Sequence, residues 1–468
     1  MKYISTRGET PALTFNDVLL SGLAPDGGLF VPEQWPEFSN DEIASLEGLP
    51  YPELALRVLK PFVGGDIPDA ALAGIIDGAY ENFDTPEIAP LKQIGDNEWL
   101  LELFHGPTLA FKDMAMQVLG SLFDHVLKTK GERVTIIGAT SGDTGAAAIE
   151  ACRARDAIEI FMLHPQGRVT EVQRRQMTTV ASENVHNIAI EGTFDDCQDL
   201  VKAMFNDQDM RDRLRLSAVN SINWARIMSQ VVYYFWAGLK LGTPETHLSF
   251  AVPTGNFGNV FAGYEARAMG LPIDQLVVGC NANDILTRFL ETGTMELAEV
   301  TPTISPSMDN QVSSNFERLL FDLVGRNGGQ VASILEGFRE TRRFSVNAKA
   351  LEAAQAIFYG ARFDDEETKE VIRDVYENAG ELIDPHTAVG IAAARVQRRD
   401  RTIPMIALAT AHPAKFPDVV EDATGVRPAL PGHLSDLFER IERCTGLAND
   451  LDTGKAFVTE YARNGAKS

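Results

Sequence analysis

Short runs of branched apolar residues, each followed by a glycine-bearing turn and a helical pattern, recur along this chain. One such unit starts at residues 133–137, passes through a turn at 138–145 and continues into an alanine-rich stretch. Further runs of strand length lie at residues 158–163, 185–190, 248–252, 275–279 and 403–408. Continuous apolar runs that alternate with helices are typical of parallel strands buried on both faces. The pattern therefore predicts an α/β fold with parallel-sheet domains.

Sheets of this kind bind ligands at the carboxyl ends of their strands, so the loops that follow the strands are predicted to carry the chemistry. Outside the repeated units, residues 1–95 contain Pro- and Gly-rich turns and are predicted to form a separate N-terminal unit. Residues 301–309, rich in Pro and Ser, are predicted to form an insertion loop. Residues 434–441 have the apolar spacing of a packing helix.

The charge of the chain argues against one class of partner. Among 468 residues, 42 Lys and Arg oppose 66 Asp and Glu, which gives a formal net charge of −24. A nucleic-acid surface needs clustered positive charge, so no nucleic acid is expected. No stretch reaches the roughly 18 uninterrupted apolar residues of a membrane-spanning helix. Residues 1–10 are polar, and we expect a cytoplasmic protein without a membrane partner.

The cysteines and histidines predict neither disulfides nor a metal site. Cys152, Cys197, Cys280 and Cys444 are far apart and form no CxxC pair, and the eight histidines form no HExxH motif. Cysteines separated in this way are expected to be small buried hydrophobic residues.

Lys112 stands in an apolar setting that few surface lysines share. Its neighbours in the sequence include residues 109–111, Met114 and Met116. Loss of water around an amine lowers its pKa, and the neutral amine is the nucleophile that forms a Schiff base. The alternative is a lysine at the start of a helix that extends its amine to solvent.

Two turns between a strand and a helix are predicted to bind anions. In residues 252–259, glycines allow close backbone approach, and N–H groups of the following helix point toward an anion. This turn lacks the GxGxxG and Walker patterns, which disfavours a nicotinamide or a nucleoside triphosphate; an ordinary Gly-rich turn is the alternative. Residues 140–145 offer hydroxyl and N–H groups suited to a carboxylate. A phosphate-bearing aldehyde cofactor, an amino-acid substrate and an imine-forming lysine would use both turns and Lys112.

A set of segments in this chain resembles the threonine synthase family, in its longer bacterial and fungal branch. The matching segments are residues 3–8, 23–29, 105–113, 139–145, 220–226, 253–259, 307–318 and 409–416. The resemblance implies a pyridoxal-phosphate-dependent enzyme of fold type II, like the tryptophan synthase β chain, with an extra N-terminal unit. It also implies pyridoxal 5'-phosphate as cofactor and the last step of threonine biosynthesis, in which O-phospho-L-homoserine and water become L-threonine and phosphate.

The resemblance further implies roles for individual residues. Lys112 would carry the cofactor as an imine and move protons at the α and β carbons. Thr410 would face the pyridine nitrogen. The cofactor phosphate is assigned to Gly255, Asn256, Phe257, Gly258 and Asn259. The substrate carboxylate is assigned to Thr140, Ser141, Gly142, Asp143 and Thr144. The region of the substrate phosphate is assigned to Ser221, Asn223 and Arg226.

Some of these roles have alternatives. Related enzymes of this fold often carry Asn at the position of Asp143, and an ionised Asp would repel a substrate carboxylate. Its side chain is therefore expected to face backbone N–H groups or a neighbouring cation. For Arg226 the alternative is an ion pair with the abundant surface acid. His105, His412 and Lys415 lie inside the matching segments and rank second as candidates.

The resemblance also suggests a division of the chain. Residues 1–95 would form the N-terminal domain, and residues 96–215 a smaller mobile α/β domain with Lys112 and the carboxylate turn. Residues 216–430 would form the large cofactor-binding domain, and residues 431–468 a C-terminal helical segment. We expect a monomer or homodimer that takes a small-molecule substrate. The alternatives are a serine/threonine dehydratase-like lyase, which needs no site for a substrate phosphate, and a non-catalytic relative that binds a metabolite or a protein.

Overall fold

The computed structural model describes residues 1–218 and 221–462, and these fall into two compact units. The first unit comprises Met1–Ile76, Thr85–His105 and Ser221–Ala429. The second comprises Asp77–Asp84, Gly106–Asn220 and Leu430–Ser468. The four-part division suggested by the sequence stays a prediction.

A six-stranded sheet forms the centre of the first unit. Its strands follow the order Phe358–Arg362, Ile273–Cys280, Leu248–Pro253, Met405–Ala409, Glu98–Glu102 and Leu91–Gly95. All neighbours are parallel except the last pair. Leu248–Pro253 is buried at every position, as its uninterrupted apolar run predicts. Because it pairs in parallel with Met405–Ala409, the turn after residue 253 and Thr410 leave the same edge of the sheet.

Helices and short hairpins surround this sheet. The α-helices of the first unit are Phe15–Ser21, Asn40–Ala44, Tyr51–Val63, Trp224–Lys240, Gly258–Ala268, Ile285–Thr292, Phe316–Leu323, Gly328–Thr341, Ala348–Gln355, Asp365–Ala379, Pro385–Gln397 and Pro417–Thr424. The 3₁₀ turns are Pro306–Met308 and Pro413–Lys415. The two-stranded sheets pair Tyr3–Ser5 with Phe30–Pro32 and Thr294–Glu296 with Arg343–Ser345. The boundary between the units falls within a further helix, Asp69–Tyr80.

The N-terminal residues join the core of the first unit through the helix Trp224–Lys240. This helix is buried from its first residue to Gly238. The ring of Tyr3 lies 5.9 Å from that of Trp224, and the ring of Tyr51 lies 5.4 Å from that of Trp236. Aromatic contacts of this kind bury large apolar areas, and residues 1–76 belong to the same compact unit as the sheet.

The second unit is built on a five-stranded parallel sheet. Its strands follow the order Thr445–Leu447, Val185–Ile190, Ile158–Pro165, Val134–Ala139 and Leu216–Ser217. Its α-helices are Lys112–Lys130, Asp143–Cys152, Glu171–Thr178, Phe194–Asn206, Gln208–Leu214 and Leu451–Tyr461, with a 3₁₀ turn at Gly432–Leu434. The predicted parallel α/β arrangement is therefore present in each unit.

Two expectations from the sequence were wrong. Residues 434–441 form no α-helix, since only the 3₁₀ turn Gly432–Leu434 reaches into them, and Phe438 and Ile441 are exposed. Cys444 is exposed, whereas the other three cysteines are buried as predicted. It directly precedes Thr445–Leu447, which is an edge strand of its sheet. None of the helices in the described part of the chain has the length and apolar character needed to cross a bilayer.

Candidate active site

Lys112 is the first residue of the helix Lys112–Lys130 and is 8% exposed. Its Nζ lies 3.3 Å from Oδ2 of Asp143. The preceding loop is folded back on Asp113, whose carboxylate accepts hydrogen bonds from the N–H and the hydroxyl of Thr108 at 2.7 and 2.8 Å. The buried, carboxylate-paired amine differs from the alternative of a lysine extended into solvent.

Asp143 begins the next helix, Asp143–Cys152, after the strand Val134–Ala139. Its Oδ1 accepts a hydrogen bond from Nε2 of Gln173 at 2.8 Å, while Oδ2 faces Lys112. Of the two orientations expected from the sequence, the structure therefore shows the one toward a cation. Gly142 has φ of +143°, and a Cβ there would lie 2.6 Å from the Gln173 amide carbon, so this turn requires glycine.

The other residues of the predicted carboxylate turn differ in exposure. Thr140 is buried, and its hydroxyl accepts the N–H groups of Gly142 at 3.0 Å and Gly145 at 2.8 Å. Ser141 is exposed and Thr144 is half-buried. The hydroxyl of Thr140 thus shapes the turn, and the carboxylate assignment to Thr140–Thr144 stays a prediction.

In the first unit, the turn after Leu248–Pro253 leads into the helix Gly258–Ala268, which has no side-chain cap. Phe257 occupies the cap position with φ of +64°, a left-handed conformation that is unusual for a bulky residue. Its ring packs 5.3 Å from Phe316 and 5.6 Å from Phe358, and this burial offsets the backbone strain. Uncapped N–H groups at a helix start are available to an anion.

Asn259 adds a buried donor to this helix start. Its Oδ1 accepts a hydrogen bond from the Tyr233 hydroxyl at 2.6 Å, whereas its Nδ2 is buried and has no partner within the residues that the structure describes. Gly255 is half-buried and Asn256 is exposed. An uncapped helix start beside an unpartnered amide N–H matches an acceptor-rich anion. The residues of this turn therefore fit the phosphate of the predicted cofactor.

Arg226 lies in the first turn of the helix Trp224–Lys240 and is 5% exposed. Burial lowers the pKa of its guanidinium to about 10, and its Nη1 is buried without a hydrogen-bond partner among the described residues. Within the described residues, no carboxylate pairs with it, so the alternative of a surface ion pair is not observed. A buried cation without a counter-ion is costly, which favours an anionic ligand here.

The residues just before Arg226 have backbone partners. Asn223 caps the helix, since its Oδ1 accepts the Ala225 N–H at 3.0 Å and its Nδ2 donates to the carbonyl of Leu19 at 2.9 Å. The hydroxyls of Ser221 and Ser314 lie 3.3 Å apart. The substrate-phosphate roles of Ser221 and Asn223 stay predictions, and Asn220 of the same segment lies outside the described residues.

Thr410 follows the strand Met405–Ala409 and is buried. Its N–H donates to the hydroxyl of Thr387 at 3.2 Å, and that hydroxyl donates to Asp384. The fully buried Asp384 also caps the helix Pro385–Gln397 and lies 2.8 Å from Nδ1 of His386. Asp384 therefore fixes the backbone at Thr410, a role that the sequence pattern does not reveal.

The second-ranked candidates have local partners. Nε2 of His105 lies 2.8 Å from Oε2 of Glu102, and Lys92 lies 2.9 Å from the other oxygen. Burial acts to raise the pKa of Glu102, but the hydrogen bonds from His105 and Lys92 outweigh it and hold that pKa below its usual value. Nδ1 of His412 accepts the Ala414 N–H at 3.1 Å, and Lys415 is fully buried.

Glu265, on the helix Gly258–Ala268, gives a testable pH dependence. Both carboxyl oxygens are buried and accept no hydrogen bond from the described residues. Burial raises the pKa of Glu265 well above the usual value, against a smaller opposing effect of Arg318. The folded state therefore keeps a proton that the unfolded chain releases near the usual pKa. Glu265 therefore does not reduce the unfolding free energy at a pH below its unfolded-state pKa. Above that pKa the unfolding free energy falls by about 1.4 kcal/mol per pH unit until the folded-state pKa is reached.

We expect the substitution Glu265→Gln to reduce the fall of the unfolding free energy with rising pH. Urea unfolding at pH 5 and pH 8 should show a smaller fall in unfolding free energy for the variant than for the wild type. The exposed Glu299→Gln serves as control and should follow the wild type. An unchanged fall in Glu265→Gln would contradict the assignment of a neutral buried carboxyl.

Comparison with known proteins identifies the class. A model described as "Pyridoxal-phosphate dependent enzyme" matches residues 83–337, which is more than half of the chain. Models described as "Threonine synthase N terminus" and "Threonine synthase, C-terminal" match residues 2–80 and 387–458. The protein is thus a pyridoxal-phosphate-dependent enzyme of fold type II, and the predicted fold class and cofactor are confirmed.

Comparison with individual relatives identifies the family within this class of enzymes. A threonine synthase of Pseudomonas aeruginosa is 58% identical over 466 residues, covering 99% of each chain. A PLP-bound threonine synthase structure from Brucella melitensis superposes with a TM-score of 0.97 at 53% identity, covering 99% of this chain and 100% of the other. The yeast threonine synthase structure has a TM-score of 0.94 at 38% identity, with 98% of each chain covered. The chain belongs to the threonine synthase family.

Proposed function

We propose that the protein converts O-phospho-L-homoserine and water into L-threonine and phosphate with pyridoxal 5'-phosphate, as the last step of threonine biosynthesis. This makes it a carbon–oxygen lyase acting on phosphates. The observation that carries the proposal is Arg226, a buried guanidinium with an N–H group that has no partner in residues 1–218 and 221–462. A dehydratase substrate has no phosphate to occupy such a group, whereas O-phospho-L-homoserine has one.

The cofactor, when bound, supplies an electron sink for charge that develops at the substrate carbons. Gly255, Asn256, Phe257, Gly258 and Asn259 would hold its phosphate through the uncapped helix start, and Thr410 would face its ring nitrogen. A threonine hydroxyl does not enforce protonation of that nitrogen as a carboxylate would. The assignment of Thr410 is supported by its position at the sheet edge where the 254–259 turn also begins.

Lys112 would anchor the cofactor and then act as the proton carrier. The reaction removes an α proton and a β proton, expels the γ phosphate and adds water at the β carbon, so one amine must both accept and return protons. The carboxylate of Asp143 lies 3.3 Å from the Lys112 amine and accepts a hydrogen bond from it. Gln173 in turn holds the Asp143 carboxylate in this orientation.

Thr140, Ser141, Gly142, Asp143 and Thr144 are proposed to receive the substrate carboxylate, and Ser221, Asn223 and Arg226 its phosphate. Oδ1 of Asp143 accepts a hydrogen bond from Gln173 and Oδ2 faces the nitrogen of Lys112, so neither carboxylate oxygen is left without a partner beside the substrate carboxylate. A cytoplasmic location and a monomeric or homodimeric state are proposals of the same kind.

Product analysis separates the proposal from its alternatives. The purified protein with pyridoxal 5'-phosphate and O-phospho-L-homoserine should release threonine and inorganic phosphate in equal amounts. Formation of 2-oxobutanoate from L-threonine, or of pyruvate from L-serine, with release of ammonia would favour the dehydratase-like lyase, since neither substrate carries a phosphate. Absence of turnover with retained binding would favour the non-catalytic relative.

The phosphate turn also predicts the effect of Gly255→Ala. A Cβ at this position would lie 2.7 Å from Nδ2 of Asn310, 3.0 Å from the carbonyl of Ser307 and 3.2 Å from Cα of Met308. Because backbone cannot yield cheaply, we expect the turn to shift and the Kd for pyridoxal 5'-phosphate to rise about tenfold or more.

Absorbance titration of the apoenzyme measures this constant. Gly337→Ala is the matched control, because a Cβ at Gly337 meets nothing within 4 Å. It should bind the cofactor as the wild type does. Equal affinity of Gly255→Ala and Gly337→Ala would mean that the 255–259 turn does not hold the cofactor.

A further inference from the structure

Asn315 connects two segments of the first unit that are both proposed to bind anions. Its side chain is fully buried, and its Nδ2 donates to the carbonyl of Asn256 at 3.1 Å and to the carbonyl of Ser221 at 3.0 Å. Its backbone N–H also donates to the Asn256 carbonyl at 3.1 Å. Asn256 belongs to the turn proposed for the cofactor phosphate, and Ser221 to the segment proposed for the substrate phosphate.

Arg318 binds the amide oxygen of Asn315, the atom not used in the contacts to Asn256 and Ser221. Its Nη1 donates to Oδ1 of Asn315, and its Nη2 donates to the carbonyl of Ile222 at 2.6 Å. Its Nε donates to the carbonyl of Phe30 at 3.0 Å. Because the guanidinium occupies the Asn315 oxygen, the two amide hydrogens are directed at the two carbonyls.

Arg318 also places a positive charge next to Asn315. It is fully buried, its guanidinium lies 5.5 Å above the Trp224 ring, and burial lowers its pKa to about 9. In the described part of the chain its hydrogen bonds go to two carbonyls and to the Asn315 amide, while Glu317 and Glu265 interact with it only electrostatically. In a chain of net charge −24, such a cation favours anions at the neighbouring turns.

We propose that Asn315 is a positioning residue that sets the spacing between the cofactor-phosphate turn and the substrate-phosphate segment, with Arg318 fixing its amide. The inference rests on the proposed function for the identity of the two anions. An Asp at this position has no hydrogens to donate, and a Ser is too short to span both carbonyls. The two anion sites are therefore held together by one side chain.

Two neighbours of Asn315 each serve only one of the two segments. The Ser313 hydroxyl donates to the carbonyl of Gly255 at 2.5 Å, on the cofactor side. The Ser314 hydroxyl lies 3.3 Å from that of Ser221, on the substrate side. Of the two segments, Ser313 thus contacts only the cofactor-phosphate turn, Ser314 contacts only the substrate-phosphate segment, and Asn315 contacts both. Variants of the two serines are therefore matched controls for variants of Asn315.

The experiment compares Asn315→Asp, Ser313→Ala and Ser314→Ala with the wild type. The Kd for pyridoxal 5'-phosphate is measured on the apoenzyme, and the inhibition constant of inorganic phosphate on the holoenzyme at saturating cofactor. We expect Asn315→Asp to raise both constants about tenfold or more, because two hydrogen bonds are replaced by repulsion between oxygens. Ser313→Ala should raise mainly the first constant and Ser314→Ala mainly the second.

The ³¹P resonance of the bound cofactor and the unfolding midpoint distinguish positioning from general destabilisation. A shifted resonance in Asn315→Asp with a nearly unchanged midpoint supports positioning. Where Asn315→Asp fails to fold, the neutral Asn315→Ser is measured in its place. The proposal is overturned if the Asn315 variant raises only the Kd for pyridoxal 5'-phosphate, only the inhibition constant of phosphate, or neither constant. Wild-type turnover is recorded in parallel, so a failure of the proposed function is seen separately, and cofactor affinity still tests Asn315.

Discussion

Lys112→Ala is expected to lower kcat for threonine formation by about 10³-fold or more, because the variant lacks both the imine-forming amine and the proton carrier. The absorbance band of the imine should disappear, while the cofactor is still retained through its phosphate at the 255–259 turn. Steady-state product formation and the visible spectrum measure the two effects.

Two further variants serve as controls. Lys112→Arg keeps a cation beside Asp143 but forms no imine, so it should be as inactive as the alanine variant. Lys128→Ala, on the same helix, removes an exposed lysine that pairs with Asp124 at 2.8 Å, and it should retain wild-type activity. Activity of Lys112→Ala within about tenfold of the wild type would be incompatible with a catalytic amine at this position.

Arg226→Met is expected to raise KM for O-phospho-L-homoserine and to lower kcat/KM by about 10- to 100-fold, the range of a lost charge-assisted hydrogen bond. The Kd for pyridoxal 5'-phosphate should remain close to that of the wild type. The unfolding midpoint should be unchanged or higher, because the substitution removes a buried cation whose Nη1 has no partner in the described part of the chain, and it keeps most of the side-chain volume.

The KM for substrate, the Kd for cofactor and the unfolding midpoint together distinguish ligand binding by Arg226 from a structural role. A structural arginine would lose stability on substitution and leave KM alone. The exposed Arg339→Met is the control for loss of one positive charge and should behave as the wild type. An unchanged KM with a lower unfolding midpoint for Arg226→Met would therefore remove the observation that favours a phosphorylated substrate.

The buried parallel strands were predictable because burial on both faces produces a continuous apolar run. The run at residues 185–190 is observed as the strand Val185–Ile190, and the run at 248–252 as Leu248–Pro253. The strands Leu91–Gly95 and Glu98–Glu102 were not predicted from the sequence. They carry polar residues and are partly exposed, so the apolar pattern is lost at this edge of the sheet.

The candidate site was predictable where its signal is local. Glycine-bearing turns between strand and helix indicated residues 140–145 and 252–259, and Asn223 before an apolar helix carries the usual signal of an N-cap. Contacts between distant residues have no such signal. Gln173 reaches Asp143 across 30 positions, and Asn315 reaches Ser221 across 94. Only the fold brings these side chains together.

The charge of the chain acquires a specific meaning through two arginines. A net charge of −24 opposes the approach of an anionic substrate. Arg226 and Arg318 are buried in the first unit, and neither forms an ion pair within the described residues. They provide local positive charge that the overall composition conceals, as an electropositive site on an acidic protein requires.

Borohydride reduction of the holoenzyme, followed by peptide mapping, tests the central assignment most directly. Reduction makes the bond between cofactor and amine permanent, so the modified peptide identifies the residue. The account predicts a single pyridoxyl group on Lys112. A pyridoxyl group on another lysine, or none at all in protein that binds the cofactor, would contradict it.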